Sequence, residues 1–251
     1  MSNLVVERRG DATWVGIDRP EARNALDRAT IDALHEAIGR ATAGGPSVLV
    51  IHSTTAGTFV AGADIAELAE RGVDDALEAI NIDLFERIGA YRWPTIAAID
   101  GPALGGGCEL ALACDLRVAT PRARFAQPEP ALGIIAGAGA NWRLAQLAGI
   151  GVARRMLYLG ETLDALAALS AGLVDRVVEE EELGNVVDEM VGAIAGRSWR
   201  ATELTKLALR QHRPDTTAFD MAAQALLFES DDKADRMGAF LARRNRPRTG
   251  S

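Results

Sequence analysis

The chain has 251 residues, 48% of them hydrophobic and 25% charged, enough for one large domain or for one domain with a small appendage. Its formal net charge of -8 argues against a general binder of nucleic acid or anionic membrane, and neither is expected as a partner. No apolar stretch reaches ~18 residues without charge, and the N-terminal MSNLVVERRGDATW lacks the basic flank and apolar core of a signal peptide, so a cytoplasmic protein is expected.

Residues 3–9 and 12–18 read as two strands joined by Gly10-Asp11, a hairpin signal. IDRPEARNAL is a turn with its backbone fixed by Pro20. Asp27 is the candidate N-cap of a helix to about residue 43, with Ile31, Leu34 and Ile38 at helical spacing. SVLVIHS is a buried strand. AGTFVAGADI is a glycine-punctuated loop in which Asp64 caps the helix beginning IAELAE. Residues 74–91 read as one amphipathic helix, and PTIAAID (94–100) as a buried strand leading into ALGGGCELALACD. LRVAT and ARFAQPE are strand-like. Helical patterns at 138–147, 151–159, 164–171 and 181–195 are interrupted by a strand, LVDRVV. Helices are then predicted at 199–211, 215–229 and 231–244, with Pro214 separating the first two. This order gives an α/β core over 1–195 and a helical appendage over 196–251. The apolar segment AFDMAAQALLF (218–228) requires a packing partner.

The chemistry concentrates at Gly105, Gly106 and Gly107, directly before Glu109. A strand, a glycine turn and a helix leave unpaired N–H groups at the helix start, with the positive end of the helix dipole beside them. Such a site holds a phosphate or a developing oxyanion. A phosphate loop calls for a lysine at the end of the motif; Cys108 and Glu109 stand there instead, which favours proton transfer beside an oxyanion. The loop VAGAD (60–64) offers a second N–H, from Gly62 or Ala63. Glu129 is bracketed by Pro128 and Pro130 in AQPEPALG, which makes its backbone rigid. Two glutamates near one oxyanion hole permit acid–base work at both ends of a double bond.

Other polar residues read as structural. Asp64 is a helix cap and Asp115 a hydrogen-bonder at a helix end. His35, His52 and His212 have no cysteine, serine or second histidine at useful spacing. Cys108 and Cys114, six residues apart, have neither a metal spacing nor a disulfide pattern and read as reduced packing residues. Trp14, Trp93, Trp142 and Trp199 read as packing. No metal site is expected.

Taken in order, RPEARNAL, FVAGADI, PTIAAIDGPALGGGCELALACD, FAQPEPALGI, GLVDRVV and DKADRMGAFLARR resemble the enoyl-CoA hydratase/isomerase (crotonase) family over residues 3–246. The resemblance implies an α/β, crotonase-like spiral of ββα units and a C-terminal helical trimerisation region, with assembly to a homotrimer or homohexamer. It implies an acyl-CoA thioester substrate and no separate cofactor, coenzyme A being part of the substrate. By resemblance, Ala63 and Gly106 supply the N–H groups that hold the thioester oxygen, and Glu109 and Glu129 are the catalytic pair. Ala22, Arg23, Ala61, Asp64 and Ile65 fall where the family contacts CoA, and Gly137 lines the site. Arg243 and Arg244 are weaker candidates for a neighbouring subunit's CoA. The implied reaction is hydration of a 2-enoyl-CoA to a 3-hydroxyacyl-CoA. The chain departs from the family pattern over Ala136–Trp142, which keeps a Δ3-Δ2 enoyl-CoA isomerase or another acyl-CoA lyase as the alternative. A non-catalytic CoA- or RNA-binding paralogue rests only on the basic tail from Arg243, and the net charge of -8 opposes it.

Overall fold

Gly10 and Asp11 form the two-residue loop of an antiparallel hairpin. Strands β1 (Leu4–Arg9) and β2 (Ala12–Ile17) pair from Arg9 opposite Ala12 to Leu4 opposite Ile17. In the computed structural model, which describes residues 3–210, 221, 222, 225 and 228–244, parallel strands then extend the sheet. These are β3 (Val48–Ser53), β4 (Thr95–Ile99), β6 (Leu116–Ala119) and β9 (Arg176–Val177), in the order β1-β2-β3-β4-β6-β9. A second sheet takes β5 (Pro102–Leu104), β7 (Arg124–Ala126) and β8 (Leu163–Asp164). The chain gives one strand to each sheet and then a helix: β4, β5 and α5 (Gly106–Ala113), then β6, β7 and α6 (Ala140–Leu159). These are the ββα units of a crotonase-like spiral.

The uninterrupted apolar strands have a physical cause, because both faces of the large sheet are covered. Val15, Ile17, Leu49, Ile51, Ala97 and Ile99 face the main core. That core is shared with α1 (Arg28–Ala43), α5 and α6. Their alternating neighbours Ala12, Trp14, Val48, Val50, Ile96 and Ala98 face a second cluster, with Val187 and Val191 of α8 (Leu183–Ala195). Arg117 of β6 is 2% exposed, and its guanidinium donates to the carbonyls of Leu173 (2.6 Å), Cys114 (2.6 Å), Ala111 (3.3 Å) and Asp115 (3.2 Å).

A third, smaller cluster joins α2 (Ile65–Glu70) and α3 (Val73–Leu77) to the C-terminal part through Leu68, Ala76, Ile134, Phe228 and Met237. It corrects the single helix predicted at 74–91. The segment is instead α3 followed by α4 (Ile80–Gly89), broken at Ala79, which is left-handed at φ 55°. Ala76 packs in the third cluster, whereas Leu84, Phe85 and Ile88 pack in the main core, so one straight helix does not serve both. The predicted helices at 138–147 and 151–159 join as α6, bent at Gly149 with φ 80°. The strand expected at 173–178 shortens to β9, and α7 (Ala165–Ser170) follows β8. After α8 come α9 (Trp199–Arg210) and α10 (Asp231–Arg244). The break at Pro214 and most of the helix predicted at 215–229 lie outside the described residues. Among the described residues, no helix is long and apolar enough to cross a membrane.

Candidate active site

Each glycine of the triple has its own reason. Gly105 is left-handed (φ 50°), and a Cβ there would sit 2.5 Å from Oε1 of Glu129. A Cβ on Gly107 would lie 2.0 Å from the carbonyl oxygen of Val60. One on Gly106 would rest 3.4 Å from the Ala63 nitrogen. The start of α5 is thus pressed against the 60–64 loop at Gly107, while Gly106 keeps the space beside Ala63 open. That loop is held as a strand-like insert. Val60 N–H donates to Pro102 O (3.2 Å) and Leu104 N–H to Val60 O (3.1 Å). On its other side, Leu26 N–H donates to Gly62 O (2.8 Å) and Asp64 N–H to Leu26 O (3.0 Å). Among the described residues, neither the Ala63 nor the Gly106 N–H has a backbone acceptor.

The two glutamates sit in different surroundings. Glu109 is 3% exposed, and its Oε1 accepts from the N–H groups of Ala138 (2.7 Å) and Ala140 (3.1 Å). The segment that supplies these donors is itself fixed. Arg143 donates to Ala138 O (3.0 Å) and Glu86 Oε1 (2.7 Å), Asn141 donates to Ala136 O (3.0 Å), and the Arg143 guanidinium lies 4.4 Å from the Trp142 ring centre. Glu129 is 8% exposed and opens a 3-10 turn (Glu129–Leu132), and its Oε2 has no partner among the described residues. Burial and the neighbouring Glu109 charge push its carboxyl well above the usual carboxylate range. Both face a cleft that is also lined by Ala63, Gly106 and Gly137.

A model of the enoyl-CoA hydratase/isomerase family matches residues 9–247. The chain belongs to that family. It is 37% identical over 252 residues to a short-chain-enoyl-CoA hydratase from Clostridium acetobutylicum, covering 97% of this chain and 96% of the relative. It is also 37% identical to a 2,3-dehydroadipyl-CoA hydratase from Escherichia coli, covering 97% of each. The fold matches the crystal structure of an enoyl-CoA hydratase from Bacillus halodurans with a TM-score of 0.87 at 25% identity, over 95% of this chain and 100% of that one.

Within this crotonase fold the expected site residues divide into two groups. Ala63, Gly106, Glu109, Glu129 and Gly137 come together on the cleft. Ala22, Arg23, Ala61, Asp64 and Ile65 do not line it. Within the 60–64 loop, Ala61 N–H donates to Arg23 O (3.2 Å), which ties Arg23 to the loop. Asp64 caps α2 through Ala66 N–H (3.0 Å) and pairs with Arg19 (3.0 Å). Burial raises its carboxyl, but the Arg19 and backbone bonds outweigh this and leave it below its ordinary value. Ile65 packs against the third cluster. Asp115 accepts from Thr95 N–H (2.8 Å) and Lys206 Nζ (2.7 Å), the structural role expected of it. Cys108 and Cys114 are buried free thiols, and burial raises both well above the ordinary thiol range. Arg243 is exposed; the Arg244 side chain, His212 and residues 245–251 lie outside the described residues.

Sequence reasoning passed over three residues. Arg19 bridges the caps of two helices, reaching Asp27 (3.2 Å) as well as Asp64 (3.0 Å). Asn24 is fully buried at φ 57°, donating to Ser53 Oγ (2.8 Å) and Phe59 O (2.9 Å). Asn81 lines the cleft, and its buried Oδ1 has no hydrogen-bond partner among the described residues; a polar residue amid the apolar positions of INIDLF was the available signal.

Proposed function

We propose that the chain adds water across the C2–C3 double bond of a 2-enoyl-CoA, with Glu109 as base, Glu129 as acid, and the Ala63 and Gly106 N–H groups as the oxyanion hole. The observation that carries this reading is the pair of buried carboxylates in opposite surroundings on one cleft. Two N–H donors on one oxygen favour the ionised form of Glu109. Desolvation and a like charge favour the neutral form of Glu129. In this scheme a water between them attacks C3 and gives its proton to Glu109. The double-bond electrons move to C2 and toward the thioester oxygen, where the two N–H groups stabilise the enolate charge. Glu129 then delivers its proton to C2, leaving a 3-hydroxyacyl-CoA.

A double-bond shift needs only a proton moved between two carbons, so the second carboxylate supports hydration over isomerisation. The altered Ala136–Trp142 segment still holds Glu109 by its backbone and gives the isomerase reading no independent support. The test follows the fall of the enoyl-thioester absorbance with crotonyl-CoA. Glu109→Gln is expected to slow that fall by about 100- to 10,000-fold. Full activity in the variant, or turnover of a 3-enoyl-CoA without any water addition, would reject the assignment.

Residues 196–251 are proposed to carry self-association to a trimer or hexamer. Leu204 and Leu207, three residues apart on α9 and so on one side of it, are 47% and 53% exposed, an apolar surface that another copy would cover. Light scattering is expected to give three or six times the 26.6 kDa chain mass; a monomer at micromolar concentration would contradict this.

A further inference from the structure

Arg71 is the unexplained cation of the cleft. Its side chain is 12% exposed, and the residue lines the same cleft as Glu109 and Glu129. The other buried guanidiniums are engaged by close acceptors. Arg117 bonds four carbonyls, Arg143 bonds Ala138 O and Glu86, and Arg19 bonds Ala25 O, Asp27 and Asp64. Among the described residues, Arg71 has only an ion pair with Glu67 at 3.8 Å, too long for a hydrogen bond. The acids near it are engaged elsewhere: Glu67 Oε2 accepts from Arg28 N–H (3.0 Å), and Asp75 Oδ2 from Gly72 N–H (2.8 Å). The backbone at Arg71 is anchored, because Lys233 Nζ of α10 donates to Arg71 O (2.8 Å) and Ala69 O (3.2 Å). A charged fork is therefore held in place beside Leu68, Ala76 and Phe228, with Asp75 as the one acid of that part of the cleft among the described residues, and Asp75 makes no hydrogen bond to it. Burying a guanidinium without an acceptor is costly. A carboxylate would match its geometry with two parallel bonds.

We infer that Arg71 receives a carboxylate at the far end of the acyl chain, so that the substrates are 2-enoyl-CoA thioesters of dicarboxylic acids. The inference rests on the acyl-CoA reading of the cleft. It goes beyond that reading, because relatives at 37% identity include both a short-chain-enoyl-CoA and a 2,3-dehydroadipyl-CoA hydratase, so identity leaves the acyl group open. The CoA phosphates are the other anionic groups of such a substrate. The residues matched to CoA by resemblance, Ala22, Arg23 and Ala61, lie outside the cleft, which leaves the Arg71 wall to the acyl chain.

The test is calorimetric binding of adipyl-CoA and hexanoyl-CoA. Both carry saturated six-carbon chains and neither is hydrated, so the terminal carboxylate is the variable. The wild-type chain is expected to bind adipyl-CoA about 10- to 100-fold more tightly. In Arg71→Met that ratio falls to about one, and Arg71→Lys keeps part of it. Equal binding of the two thioesters by the wild type overturns the assignment without any variant. Equal weakening of both in Arg71→Met, with the ratio kept, overturns it in favour of contact with the CoA moiety. Failure of both thioesters to bind the wild type rejects the acyl-CoA reading itself.

Discussion

Glu129→Gln is expected to lower the hydration rate with crotonyl-CoA by about 100- to 10,000-fold and to remove the alkaline limb of the pH–rate profile. Burial and the neighbouring Glu109 charge raise the Glu129 carboxyl well above its ordinary value, so a proton remains on it where an exposed carboxyl would have lost its own. Activity that depends on that proton falls as pH rises through the raised pKa. The same shift acts on stability. A carboxyl whose folded pKa lies above its unfolded value stabilises the fold fully below the unfolded pKa, and this contribution is lost as pH rises to the folded one. Across that window the unfolded chain releases a proton that the folded chain retains. Glutamine has no proton to release, so the melting temperature of Glu129→Gln should decline less than that of the wild type as pH rises from the ordinary carboxylate range upward. A variant with wild-type turnover would remove Glu129 from the chemistry. Parallel melting curves at all pH values would show that its carboxyl is not the buried neutral acid assigned here.

What could be read from the sequence follows from the range of the forces involved. The central strands were legible because VLVI and TIAAI are covered on both faces, and their apolar runs say so locally. The caps Asp27 and Asp64 were legible because a cap bonds an N–H two or three residues away. Features set by distant partners were not. The helical period runs unbroken through 74–91, and the turn at Ala79 exists only because its two sides pack into different clusters. Strands β5 and β8, three and two residues long, are too short to show an alternation. The contrast between the glutamates was invisible for the same reason: Glu109 is held by N–H groups 29 and 31 residues along the chain. That Arg71 makes no hydrogen bond among the described residues, only a long ion pair with Glu67, depends on elements brought together by the fold, which no local pattern carries.

Gly107→Ala is expected to destabilise the chain by about 3 kcal/mol or more, at the severe end of overpacking, while Gly151→Ala stabilises it by about 0.4–1 kcal/mol. Both are helical glycines gaining one methyl group, so chemistry is constant and surroundings decide. At Gly107 the new Cβ would fall 2.0 Å from the Val60 carbonyl oxygen and 2.8 Å from its carbon. That carbonyl cannot retreat easily, because Leu104 N–H is bonded to it and Val60 N–H is bonded to Pro102 O. Helix α5 must therefore move off the 60–64 loop. The Ala63 and Gly106 N–H groups belong to these two elements, so their spacing widens with the displacement. At Gly151 no described residue beyond its own stretch of helix lies within 4 Å of the added methyl, and the gain comes from restricting the unfolded chain. Urea unfolding of the two variants beside the wild type measures the contrast. Any Gly107→Ala that folds should also show a reduced kcat, whereas Gly151→Ala keeps the wild-type rate. Equal stability of the two variants would mean that the triple glycine is not the close contact between helix and loop on which the geometry of the cleft depends.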